Sequence, residues 1–310
     1  MEEIAKCKMF RSIYENGKGI FGGPHCVEFD VKNSEFHIKV EQCIDREIIV
    51  TAKEDVSIFD LFALHSKVER LLMLLDGRFF PLVDIKLTDS SSTSDAKLEL
   101  HKVNLMANRL SYFASADFCS YEHDKLIEFE AVINSELFER WERLLDELDV
   151  VHQMYLYSLS DSKVTVDVKC AFLIELAEPL IEIVKEHTKF FSSLNPGERG
   201  TTLKNCIDAL ITKYGEEIFA REISSAYDKF LTTMVNSRVK IMHIKRRQRG
   251  ISFNGSESIL YTLKMSLLYR RVLFEILGIK EVEYKEKLLK NISGIDKWND
   301  TLDKFLLRLS

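Results

Sequence analysis

The chain has 310 residues, of which 46% are hydrophobic and 30% are charged, and its formal net charge is −6. This composition excludes an intrinsically disordered chain and predicts a globular protein with a substantial core, most simply in two domains. The acidic balance argues against a protein that coats nucleic acid over its whole surface, but it permits a local basic site.

The first part of the chain alternates apolar and polar residues with the period of two that is typical of β-strands. This pattern predicts strands at residues 27–31, 36–40, 46–52, 83–87 and 98–105. One segment departs from it, because the apolar residues from Phe59 to Leu75 follow helical spacing and Asp76-Gly77 ends the predicted helix.

From about Asn134 the pattern becomes helical, with apolar residues three and four positions apart. The predicted helices cover residues 137–148, 164–191 with a kink at Pro179, 201–214, 216–243, 256–277 and 281–310. We therefore predict an α+β protein. A β-rich N-terminal domain would comprise residues 1–135, and an all-α domain would comprise residues 136–310.

The cysteines and the apolar runs bear on the compartment. The six cysteines are scattered without C-x-x-C spacing, which predicts reduced thiols in a cytoplasmic protein. No apolar run reaches the ~18–20 residues that cross a bilayer, and we expect no signal peptide and no membrane partner. His25 is a possible ligand-binding residue, but no second histidine or carboxylate stands at metal-ligand spacing, so we expect no metal and no cofactor.

Residues 229–256 concentrate positive charge, with seven Lys or Arg residues and no Asp or Glu. Within this stretch Arg238, which stays charged, is separated by four residues from His243, which titrates near neutral pH. Such a pair suits chemistry on a phosphodiester, because one group can hold the phosphate while the other transfers protons. The side chains that would contact an RNA backbone are Lys240, Lys245, Arg246, Arg247 and Arg249.

Helical geometry complicates this pairing. Arg238 follows Met234 by four residues and so lies on an apolar stripe that includes Ile223 and Met242, where a charge needs a partner or a ligand. His243 lies ~140° further around an ideal helix, so the two side chains are not neighbours there. Either the helix ends before His243, or a second copy of the chain completes the site.

A non-catalytic interpretation is also open for these residues. An arginine and a histidine at this spacing occur by chance in chains of this size, and a basic run is commonly a solvated helix end, where cations favour the helix dipole. Upstream, Glu178 is interpreted as a charge on a helix face rather than as a residue that supports the site.

The order of several segments resembles the HEPN superfamily, and within it the Apea-like group of bacterial HEPN proteins. The family motif, Arg followed by four to six residues and His, is similar to Arg238-Val-Lys-Ile-Met-His243. The segments 173–180 and 263–279 look like the helices before and after the motif. Residues 71–78 with the strand at 83–87 resemble the β-rich domain that accompanies Apea-like modules. One position departs from the pattern, since Val239 stands where a polar residue, commonly Asn, follows the motif arginine.

The resemblance implies a metal-independent endoribonuclease that acts as a homodimer, with Arg238 and His243 as catalytic residues. It also implies a role in bacterial anti-phage defence by abortive infection, with RNA, possibly tRNA, as substrate. The N-terminal domain would sense a trigger or restrain the nuclease, and a phage-derived trigger or an antitoxin would be a partner. The alternatives are a toxin of a toxin–antitoxin pair and a non-catalytic RNA-binding or protein-interaction module, which the loss of the polar residue at Val239 favours.

Overall fold

The computed structural model describes residues 5–15, 25–43, 45–77, 79, 82–88, 90–113, 125–160, 164–198, 201–243, 250–296 and 299–310. Two compact units are present. The first contains the described residues before 114 together with 127–145, and the second contains 125–126 and the described residues from 146 onward. The predicted α+β fold, with a β-rich N-terminal part and an all-α C-terminal part, is confirmed.

The described residues of the first unit form a five-stranded antiparallel sheet in the order β2-β3-β4-β1-β5. The strands are β1 (Lys6–Tyr14), β2 (His25–Asp30), β3 (Phe36–Gln42), β4 (Arg46–Ser57) and β5 (Leu82–Thr88). Asn33, with φ 56°, forms the turn between β2 and β3, in the left-handed conformation that asparagine tolerates better than most residues. The interior strand β1 was not predicted, because a register shift between Cys7 and Met9 interrupts the alternation that marks a strand.

Helix α1 (Ile58–Asp76) packs on this sheet against β1 and β4. Its buried leucines face the apolar side chains of these strands, and Gly77 ends it at φ 70°, as the Asp76-Gly77 signal predicts. Two polar contacts are buried beneath the helix. His65 Nε2 lies 2.6 Å from Ser12 Oγ, and Arg46 pairs with Asp76.

The prediction of a strand at residues 98–105 is wrong, because this segment belongs to helix α2 (Asp95–Phe113). Leu98 and Leu105 are buried seven residues apart, which is two helical turns, whereas Leu100 and Val103 are about 60% and 56% exposed. An apparent alternation at Leu98 and Leu100 therefore does not mark one face of a strand.

The helices of the rest of the chain are α3 (Phe129–Val132), α4 (Ser135–Leu159), α5 (Val166–Glu175), α6 (Ala177–His187), α7 (Leu203–Leu210), α8 (Ala220–Met242), α9 (Gly255–Ile276), α10 (Lys285–Asp296) and α11 (Asn299–Leu309). A π-helical turn, Ile211–Gly215, follows α7. The division between the two units falls within α4, after Leu145, and the predicted boundary after residue 135 stays a prediction.

The predicted single helix over residues 164–191 is two helices, α5 and α6, which meet at Leu176. Pro179 therefore does not kink a helix but occupies the first turn of α6. Proline is tolerated there because its missing N–H would have no partner within the helix.

Helix α9 is central to the second unit and packs against α5, α6, α10 and α11. Its apolar residues are buried around most of its circumference, and so is Lys264, which donates to Glu222 on α8 at 2.7 Å. Both side chains of this pair are at most 2% exposed. An aromatic cluster joins α8, α9 and α11 through Phe230, Tyr261 and Phe305. Among the residues the structure describes, no helix has the length and apolar character needed to cross a membrane.

Candidate active site

Arg238 lies on the C-terminal part of α8, one turn after the buried Met234. The face that α8 buries is narrower than the predicted stripe, since Ile223 and Met242 are 37% and 39% exposed. The Arg238 side chain is 19% exposed and is directed toward α5, which packs against α8. The sequence predicts that this charge needs a partner, and the structure provides one within the same chain.

The partner of Arg238 is Glu175, the last residue of α5. Nε of Arg238 donates to Oε2 of Glu175, and Nη2 donates to Oε1 at 2.6 Å, so the contact is bidentate. The Glu175 side chain is 27% exposed. The hydrogen bonds that Arg238 donates to Glu175 raise the pKa of Arg238, and the negative charges of Glu175 and Glu178 act in the same direction against the lowering effect of burial.

This geometry leaves Nη1 of the guanidinium outside the contact with Glu175. Nε and Nη2 are committed to the carboxylate, and Nη1 lies 3.2 Å from Nε2 of His243. Because arginine can only donate, Nε2 is the acceptor in this contact, a role that an imidazole ring fills when its proton is on Nδ1. The lone pair of Nε2 is then directed at the Nη1 donor, next to a fixed positive charge.

The two residues meet because α8 ends at Met242. His243 is the C-cap residue, with φ −105° and ψ 4°, and its N–H donates to the carbonyl of Val239 at 3.1 Å. The ~140° separation on an ideal helix is therefore the wrong guide, since His243 is not a residue of the helix. The first of the two predicted alternatives holds for this contact, and it needs no second copy. His243 is exposed, whereas Arg238 is half-buried.

The predicted RNA-binding residues are only partly described. Lys240 is exposed, and its Nζ lies 3.4 Å from Ser252 Oγ. The other four, Lys245, Arg246, Arg247 and Arg249, lie outside the described residues. Their contact with RNA stays a prediction.

Residues that follow the site in the chain are hydrogen-bonded to side chains of α8. Asn236 donates from its side-chain amide to the carbonyl of Ile251 at 3.2 Å, and Ser237 Oγ accepts from the N–H of Phe253 at 2.8 Å. Phe253 is buried against Tyr261 of α9, with ring centroids 4.3 Å apart. These contacts fix the described residues that follow the site relative to the turn of α8 that precedes Arg238.

Glu175 is the residue that the sequence interpretation missed. It is the acidic residue that ends the apolar segment 170–174, a pattern that marks many helix ends and by itself gives no sign of a partner 63 residues away. Glu178, which was interpreted as a helix-face charge, acts on Arg238 through its charge, as the second and weaker carboxylate. Val239 is half-buried, and its backbone carbonyl, rather than its side chain, contributes to the site.

The fold and the site together define an all-α domain with an Arg–His pair at the end of a long helix, in the class of HEPN domains. The model of the Apea-like HEPN family matches residues 128–283, just over half of the chain, and the protein belongs to this family. Family membership indicates a nuclease or another RNA-related function at the level of the family. No curated protein and no solved structure matches the chain significantly.

Proposed function

We propose that the protein is a metal-independent endoribonuclease of the HEPN type, with Arg238 and His243 as its catalytic residues. The observation that carries the proposal is the contact between Nη1 of Arg238 and Nε2 of His243, together with the bidentate grip of Glu175 on the same guanidinium. A base and a permanent cation are thereby held within one hydrogen bond of each other at an exposed position.

In the proposed reaction the 2′-hydroxyl of a ribose attacks the adjacent phosphorus. Nε2 of His243, once its hydrogen bond with Nη1 of Arg238 has parted, takes the proton of that hydroxyl, and the released Nη1 stabilises the negative charge that develops on the phosphoryl oxygens. The bond from phosphorus to the 5′-oxygen breaks, and the leaving oxygen receives the proton that the imidazolium form of His243 now carries. The products are a 2′,3′-cyclic phosphate end and a 5′-hydroxyl end.

Glu175 is proposed as a positioning residue for this reaction. It occupies the side of the guanidinium that a phosphate would otherwise grip with two hydrogen bonds, so the substrate meets the Nη1 edge, which faces His243. The phosphate is thereby directed to the atom pair that can act on it. Because the attack needs a 2′-hydroxyl, the site would cut RNA and leave DNA intact.

Membership of the family and the local positive charge support a proposal for the biological setting. We propose a cytoplasmic effector of bacterial anti-phage defence, acting as a homodimer that is controlled through its N-terminal unit by a phage-derived trigger or an antitoxin. Lys240 and the basic residues 245–249 would attract the RNA backbone, an interaction that salt should weaken.

A second candidate is a non-catalytic HEPN-like module that binds RNA or protein. The observation in its favour is Val239, whose side chain cannot donate or accept a hydrogen bond at the position that follows the motif arginine. The Arg238–His243 contact forms without help from that side chain, which is why we place the enzyme first.

The deciding experiment incubates the purified protein with total tRNA in the presence of EDTA. The wild type should cut, and Arg238→Ala and His243→Ala should not. Two variants match these chemically outside the site: Arg221→Ala removes a half-buried arginine of the same helix that pairs with Asp303, and His187→Ala removes a histidine that pairs with Glu147. Both controls should cut like the wild type. Cleavage that survives in both site variants would refute the mechanism, and binding without cleavage by the wild type would favour the non-catalytic module.

A further inference from the structure

A second group of chemically capable side chains lies in the first unit, at the edge of the sheet. His25 begins the edge strand β2, and Glu128 and Glu130 stand on either side of Phe129 at the start of α3. One donor atom from each of His25, Glu128 and Glu130 lies within 4.8 Å of the other two. We propose that these three residues bind a Zn²⁺ ion.

The donor set fits that ion. An imidazole nitrogen and two carboxylate oxygens are ligands that Zn²⁺ accepts, whereas Mg²⁺ and Ca²⁺ favour oxygen alone. Tetrahedral donors at about 2.1 Å from the ion lie about 3.4 Å apart. To reach this geometry, His25 Nδ1 and Glu130 Oε1 would separate from their direct contact, and donors that now lie up to 4.8 Å apart would approach each other. Water would fill the remaining position.

The scaffold holds two of the three donors firmly. Phe129 is fully buried, and its ring meets that of His25 edge-on, with centroids 6.4 Å apart. The guanidinium of Arg46 lies 5.5 Å from the centre of the same ring. Phe129 is anchored and stands between Glu128 and Glu130 in the chain. The backbone of both glutamates is therefore fixed next to the imidazole of His25.

An independent observation favours a cation over a simple ion pair. Nδ1 of His25 contacts Oε1 of Glu130, but the other oxygen of that carboxylate, Oε2, is buried and has no hydrogen-bond partner among the residues that the structure describes. A buried carboxylate oxygen without a donor is costly, and histidine can satisfy only one of the two oxygens. A metal ion between the three residues would neutralise the carboxylates and replace the missing donor.

The residues are more than 100 positions apart in the chain, which explains why no metal-ligand spacing was visible around His25. The ion would join the edge strand β2 to the start of α3, and it would stabilise the first unit by binding only its folded form. This site contains none of the residues of the proposed nuclease, so either proposal can fail alone.

The test needs a background in which thiols do not bind the metal. Cys26 and Cys43 are exposed, so these two and Cys119 are replaced by serine, and the full chain is freed of metal and titrated with Zn²⁺ in equilibrium dialysis. We expect one Zn²⁺ per chain. His25→Ala and Glu130→Gln should weaken binding by about tenfold or more, and Zn²⁺ should raise the melting temperature of the parent but not of Glu130→Gln. His37→Ala is the matched control, because His37 pairs with Asp30 on the same sheet and should leave the affinity unchanged.

Glu130→Gln is nearly isosteric, so it separates loss of a ligand from loss of the fold. Co²⁺ in place of Zn²⁺ gives a second readout on the parent, since its visible absorption reports nitrogen and oxygen ligation without a variant. Absence of binding at micromolar Zn²⁺, or equal affinity in the parent, His25→Ala and Glu130→Gln, would overturn the assignment and leave an ordinary His25–Glu130 ion pair.

Discussion

Replacing Glu175 by glutamine tests the grip on Arg238 directly. Glutamine keeps the shape and one acceptor oxygen, but it removes the negative charge and turns an N–H₂ group toward the guanidinium, so one of two hydrogen bonds is lost. A hydrogen bond to a charged group contributes about 1.5–3 kcal/mol. The side chains are 19% and 27% exposed, and solvent therefore reduces the loss to about 1–2 kcal/mol.

For a unit of this size, that loss corresponds to a fall in melting temperature of about 3–6 °C. Catalysis should suffer more than stability, because a guanidinium displaced by about 1 Å costs about 100-fold in rate. The assay measures the initial rate of tRNA cleavage in EDTA and the thermal unfolding of the same preparation.

Glu178→Gln provides the matched control. It makes the same chemical change on the adjacent helix α6, and Glu178 affects Arg238 only through its charge in the contacts described above. This variant should lose less than about 0.5 kcal/mol and should keep most of the activity. If the two variants have the same melting temperature and the same cleavage rate, the reasoning that Glu175 positions Arg238 is refuted.

Four further predictions concern buried charge, thiol reactivity, the pH dependence of stability and oligomeric state. Glu222→Ala should destabilise the second unit by about 3–5 kcal/mol in urea denaturation, because it leaves Lys264 buried without its partner. Asp228→Ala, which breaks an exposed pair with Lys204, should cost less than about 1 kcal/mol. Equal losses in the two variants would contradict the cost of an unpaired buried charge. Burial raises the pKa of Cys206 to about 11 and that of Cys170 to about 12, so iodoacetamide at pH 8 should modify Cys26 and Cys43 and spare these two in mass spectra. Since both folded pKa values lie above the unfolded value of about 8.5, the stability that the protonated thiols contribute is complete below that pH and should be lost as the pH rises to about 11 for Cys206 and to about 12 for Cys170. Light scattering at micromolar concentration should give about twice the chain mass of 36.0 kDa, and a strictly monomeric protein would argue against the proposed homodimer.

The parts of the fold that sequence predicted are those in which local pattern and tertiary environment agree. The strands β2 to β5 and helix α1 alternate or repeat with the period of the element that forms, and Gly77 marks a real helix end. The interior strand β1 was not predicted because its register shift interrupts the period of two. Residues 98–105 were misassigned because leucines two apart fit a strand over a few residues, although the longer spacing from Leu98 to Leu105 fits a helix.

The candidate site divides in the same way. The chemistry of Arg238 and His243 was visible in their residue types, and their contact was one of two alternatives that depended on where α8 ends. The position of that end depends on the φ and ψ angles of His243, which spacing does not encode. Glu175 and the cluster around His25 could not be predicted, because each brings together residues that are far apart in the chain, and only packing determines such pairs.

The way in which Glu175 engages Arg238 also restricts how this position can evolve. A lysine would keep the charge, but its single ammonium cannot occupy both oxygens of Glu175 and still reach His243 as three separate N–H groups of the guanidinium do. Replacement of arginine by lysine is frequent on protein surfaces. At position 238 we expect it to abolish the proposed RNA cleavage even though the net charge does not change. An inhibitor faces the same constraint, since a planar carboxylate must compete with Glu175 for two donors, whereas a group with one acceptor needs only Nη1, where it meets His243.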